Sequence, residues 1–141
     1  IQLTGGSSLL NGMYFFRGDV PLKEFRASQP AVVGLGLKFY GPKLFPAYPF
    51  EEGFFLPFAR QFRDALSMPL ILLGGINLQE TITGAMAEGF EFVAMARALL
   101  REPDLINRMQ ADPGHEGLCV HCNKCLPTIY SGTRCVLVPS P

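Results

Sequence analysis

The chain has 141 residues, with 12 Lys and Arg against 12 Asp and Glu, and 48% of it is hydrophobic. So apolar a composition buries enough surface to offset its ordering entropy, which excludes disorder as the main state. Zero net charge argues against a general nucleic-acid or membrane-surface binder, which would carry a basic excess. Uninterrupted apolar runs, such as Met68 to Leu73, are far below the roughly 18 residues of a membrane span.

The first segment, Ile1 to Thr4, is strand-like and runs into Gly5-Gly6-Ser7-Ser8. It carries no initiator Met and no signal-peptide pattern, so the chain is expected to be a fragment of something longer. Asn11 to Glu52 follows, punctuated by Pro21, Pro30, Gly34, Gly36, Gly41, Pro42, Pro46 and Pro49. A connection of this length is usually a functional loop. Within it, Lys23, Glu24 and Arg26 read as a solvated helix face, and Val32 to Phe39 reads equally as helix or short strand.

From Gly53 to Ser67, apolar Phe55, Phe58, Phe62, Ala65 and Leu66 recur near the helical period, with charged residues opposite. Pro69 to Leu73 is a short apolar run, as in a strand buried on both faces, and it ends in Gly74-Gly75. Asn77 with Glu80 three positions on reads as a capping box, and Gly89 as the stop of that helix. Phe90 to Met95 is the third strand, followed by Ala96-Arg97, and Pro103-Asp104 opens a last helix through Leu105, Ile106 and Met109. Strands alternating with helices signal an α/β class with a parallel sheet. Composition divides the chain into residues 1–113, the alternating part, and residues 114–141, a Cys-rich tail.

Two features carry chemistry. Glycines at a strand end let backbone approach a ligand closely, and Gly74-Gly75 with Met95-Ala96-Arg97 is the make-up of a barrel-type phosphate site. There a guanidinium and backbone N–H groups grip the anion. The plainer alternative leaves the glycines as turn residues and Arg97 as a solvated helix residue. The second feature is Cys119-x2-Cys122-x2-Cys125-x9-Cys135. Clustered thiols without a secretory signal favour a metal or cluster site in a reducing, cytoplasmic compartment over a disulfide framework. Soft thiolates select iron–sulfur clusters or zinc, and a metal-free tail is the third reading. His121 reads as a neighbour of that motif rather than a ligand, and His115 carries no signal.

The run PLILLGGI, then FVAMARALLREPDLINRM, with LTGGSSLLN upstream, resembles the C-terminal part of the old yellow enzyme family of NADH:flavin oxidoreductases. The resemblance implies the C-terminal portion of a (β/α)8 TIM barrel. FMN would have its phosphate held by Gly74, Gly75, Ala96 and Arg97, and NAD(P)H would serve as reductant. Ala96 stands where the family usually has Gly. The family's activity implies hydride transfer from flavin to an enone or enoyl small molecule. Its proton-donor Tyr and substrate-anchoring His/Asn pair lie upstream of this chain, so Tyr14, Tyr40, Tyr48 and Tyr130 receive no catalytic role.

The cysteine spacing is similar to the [4Fe-4S]-binding segment of the dienoyl-CoA reductase and trimethylamine dehydrogenase branch, with an earlier fourth cysteine. It implies Cys119, Cys122, Cys125 and Cys135 as ligands. The sequence leaves a homo-oligomer open. Two rivals stand beside this reading: a phosphate-binding barrel without flavin, of aldolase or isomerase type, and a non-catalytic metal-binding module built on the four cysteines.

Overall fold

The computed structural model describes residues 1–5 and 10–139. The loop expected at Gly5-Gly6-Ser7-Ser8 therefore lies, beyond Gly5, outside the described residues. The chain forms two compact units, one of residues 1–5 and 50–119, the other of residues 6–49 and 120–141. The tail from Val120 shares its unit with most of the long connection that runs from Asn11 to Glu52.

The first unit is mixed α/β. Strands β1 (Ile71–Leu73) and β2 (Phe92–Ala94) pair in parallel, with Leu73 in register with Ala94. On the other side of β1, Gln2 forms a parallel bridge to Ile71, and the Ile71 N–H donates to the Ile1 carbonyl at 2.8 Å. Two of the three expected strands form, each shorter than the sequence proposed, and the first, Ile1 to Thr4, is reduced to the isolated bridge at Gln2. Leu72, fully buried, packs with Leu70, Ala59, Ile76, Ala85 and Phe90 into the core.

Helix α3 (Leu56–Ala65) is shorter than its periodic pattern, and it turns a different face inward. Ala59 is buried while Phe58 and Phe62 are 51% and 50% exposed. An ion-pair cluster lies beside Ala59 and one turn beyond it. Arg63 donates to Glu88 at 3.0 Å, and Arg60 adds a bidentate pair at 2.6 and 2.7 Å. Glu88 ends α4 (Gln79–Ala87), whose chain turns away through Gly89 at φ +98°. Short α5 (Arg97–Arg101) and α6 (Leu105–Ala111) complete the unit, with Ala98, Leu105 and Met109 forming a small second core against which Cys119 rests.

The second unit contains two helices, α1 (Leu22–Ala27) and α2 (Ala31–Leu44), so residues 32–39 are helical. Two glycines set their approach: a Cβ on Gly34 would sit 3.0 Å from the Arg26 carbonyl, and one on Gly41 3.1 Å from Leu22. The tail contributes a 3-10 helix, Leu126–Tyr130. Among the described residues no helix is long and apolar enough to cross a membrane.

Candidate functional site

The two expected phosphate loops come together. Because β1 and β2 are parallel and Leu73 is in register with Ala94, Gly74-Gly75 and Met95-Ala96 leave the same end of the sheet as neighbours. Ala96 is exposed and Arg97 half-buried. The carboxyl ends of adjacent parallel strands are where ligands of α/β sheets bind.

Gly74 and Gly75 have φ of +113° and +70°, a left-handed backbone suited to glycine. Their missing side chains are used for packing. A Cβ on Gly74 would lie 2.5 Å from the Phe55 ring, and one on Gly75 would lie 2.6 Å from Phe54 and 2.7 Å from the Glu51 carbonyl. The Gly53 N–H donates to the Gly75 carbonyl at 2.9 Å, holding that segment against the loop.

The capping box does not form. Leu78, not Asn77, is the residue before α4, and no side chain of the pair caps the helix. The Glu52 carboxylate instead accepts from the N–H groups of Asn77 at 2.6 Å and Leu78 at 3.0 Å. Nothing local marks Glu52 for this role, because it lies 25 residues upstream of Asn77. Asn77 turns to Gly117: its side-chain amide donates to the Gly117 carbonyl at 2.7 Å, and the Gly117 N–H donates back to the Asn77 carbonyl at 2.9 Å. A phosphate here would accordingly rest on the Gly75 side of the loop and on Arg97, since the start of α4 already faces a carboxylate. Within that limit, neighbouring loops and a guanidinium fit the phosphate end of FMN.

Glu102 is a site residue the sequence did not mark. It is 3% exposed, and its carboxylate meets His115 Nε2 at 2.8 Å, Arg108 Nε at 3.2 Å and the Leu118 N–H at 3.3 Å. A buried carboxylate needs such partners. They tie the chain just before Cys119 to α6.

The Cys-rich motif turns around Asn123, which is 1% exposed. Its side-chain amide donates to the backbone carbonyls of Phe16 and Asp19, and the Asp19 N–H donates to the His121 carbonyl at 3.0 Å. His121 and Asn123, on either side of Cys122, both adopt left-handed backbone, φ +55° and +56°. A turn closed by Leu126 N–H donating to the Asn123 carbonyl at 3.0 Å carries Lys124 and Cys125. Glu24 lies 3.1 Å from Lys124 and, through that hydrogen bond, holds the ammonium above the usual lysine range, with smaller contributions from Cys122 and Asp19. Lys23 stays exposed on the helix face expected of it, whereas Glu24 is engaged with the tail and Arg26 Nε donates to the Gly34 carbonyl at 3.2 Å.

All four cysteines are half-buried thiols. Among the described residues no three His, Cys, Asp or Glu side chains come together as a metal site. Cys119 belongs to the first compact unit, and Cys122, Cys125 and Cys135 belong to the second.

No protein-family model matches the chain, and no solved structure matches it. It is 77% identical over 137 residues, 97% of its length, to the 4,4'-dithiodibutanoate disulfide reductase of Rhodococcus erythropolis. The chain spans 34% of that protein, about a third of the length of the curated relative it matches.

Proposed function

We propose that this chain is the phosphate-binding part of an FMN-dependent, NAD(P)H-driven oxidoreductase with a (β/α)8 barrel, and that its substrate is an organic disulfide. The observation that carries the reading is 77% identity over nearly the whole chain to a protein named for reducing a disulfide. The parallel strands with adjoining Gly74-Gly75 and Ala96-Arg97 loops support it. An enone or enoyl substrate is what the family resemblance implies; the relative's printed name favours a disulfide instead.

When bound, FMN would supply two-electron transfer between the nicotinamide and the substrate. The chain's own residues bind and orient. Arg97 supplies a charged pair of N–H donors to the phosphate, a stronger contact than a neutral hydrogen bond. Gly75 and Ala96 would bring backbone N–H groups to the phosphate. Phe54 and Phe55 pack where side chains on Gly75 and Gly74 would go.

The test is Arg97→Ala in the full-length protein. Flavin binding should weaken by about 1.5–3 kcal/mol, the scale of a charged hydrogen bond. Dialysis should then leave apo-protein with an unchanged circular dichroism spectrum. Flavin held as tightly as in the wild type would remove the phosphate assignment.

A further inference from the structure

We propose that Cys122 and Cys125 form a redox-active dithiol that attacks the disulfide substrate directly, Cys122 as nucleophile and Cys125 as resolving thiol. The inference rests on the reading that the protein reduces organic disulfides, and it adds the residues that do so.

Cys122 stands between two non-glycine residues in left-handed backbone, and both are anchored. The His121 carbonyl accepts from Asp19, and the buried Asn123 amide is held by the carbonyls of Phe16 and Asp19. Strain of this kind persists only where surrounding contacts enforce it, and it concentrates at functional positions. Here the enforced turn presents a half-buried thiol on a fixed backbone. Cys125 follows three residues later across the Asn123–Leu126 turn, and its carbonyl is fixed by the Thr128 hydroxyl at 2.7 Å. The Cys-x-x-Cys spacing is that of disulfide oxidoreductases. Neither Cys122 nor Cys125 is in a disulfide.

The chemistry balances in two exchanges. Cys122 sulfur attacks one sulfur of the substrate; the substrate S–S bond breaks, a mixed disulfide forms, and one thiol leaves with the Cys122 proton. Cys125 sulfur then attacks Cys122 sulfur; a Cys122–Cys125 disulfide forms, and the second thiol leaves with the Cys125 proton. The substrate gains two electrons and two protons, and the protein disulfide holds the oxidation. A hydride donor of the nicotinamide or reduced-flavin class returns two electrons and one proton, and water supplies the other.

The experiment uses full-length protein, reduced and desalted anaerobically, mixed with equimolar 4,4'-dithiodibutanoate without NAD(P)H. Wild type should release thiol, and peptide mapping should find a Cys122–Cys125 disulfide, a readout that needs no variant. Cys125→Ser should stall with half of the substrate attached to Cys122, and Cys122→Ser should lose thiol release. Cys122→Ala guards against an effect peculiar to serine. Wild-type protein that releases no thiol, an unmodified Cys125→Ser, or iron or zinc bound stoichiometrically to these cysteines would overturn the proposal. NAD(P)H-driven disulfide reduction surviving in Cys122→Ser would also overturn it while leaving the proposed function standing. Thiol exchange in a protein that binds no flavin would support the dithiol and remove only the flavin reading.

Discussion

Gly74 and Gly75 show how one residue serves two demands. Each has a backbone conformation that side chains rarely adopt, and each abuts an aromatic ring where a Cβ would go. Gly74→Val should therefore cost fold as well as ligand: about 1–3 kcal/mol from the left-handed backbone alone, with overlap against Phe55 in addition. Thermal denaturation should show a lowered midpoint even without flavin, and an unchanged midpoint would mean the turn is not strained by the substitution. Sequence alone favours loss of ligand before loss of fold, because Phe54 and Phe55 are remote from the turn along the chain and no local pattern joins them. Asn123 presents the same problem of range. Its carbonyl partners lie 107 and 104 residues away in sequence. Asn123→Ala should leave those carbonyls short of a donor at a cost of about 1–3 kcal/mol, read as a lower midpoint in chemical denaturation; full stability would mean water replaces the amide.

Among the elements, β1 and β2 and their parallel pairing were legible because short apolar runs alternating with helical segments have few other solutions, whereas Ile1 to Thr4 forms only a bridge. Helix faces were less so. In α3 the periodic phenylalanines predict the buried stripe, yet Ala59 faces the core and Phe58 and Phe62 face outward. Periodicity records apolar spacing but not distant partners: Glu88 pairs with Arg60 and Arg63 from 28 and 25 residues away. That cluster has a pH signature. The Arg60 hydrogen bond, then its charge and that of Arg63, lower the Glu88 carboxyl in the folded protein. A depressed folded value means the stabilisation is complete above the carboxyl's ordinary range and is lost as pH falls through the folded value. Glu88→Gln should flatten the acid limb of a melting-temperature against pH curve; an unaltered limb would place the acid sensitivity elsewhere. At the start of α4, the local capping rule failed because a distant carboxylate, Glu52, took the N–H groups of Asn77 and Leu78.

At the scale of the molecule, β2 pairs only with β1 among the described strands, and Phe92 on it is 56% exposed. Beside it runs an open groove of about 640 Å³ lined by residues such as Met86, Met95, Leu99 and Ile106. Strand edges and apolar patches of this kind invite association. The 141-residue chain expressed alone should self-associate in sedimentation, more so than the full-length protein; a clean monomer would show that this edge needs no cover. The central claim, a flavin that passes electrons from a nicotinamide to a disulfide, is tested most directly by the anaerobic absorbance spectrum of full-length protein. Adding NAD(P)H should bleach a bound flavin, and adding 4,4'-dithiodibutanoate should restore its colour with release of thiol. A colourless protein, or a reduced flavin that the disulfide fails to reoxidise, would contradict it.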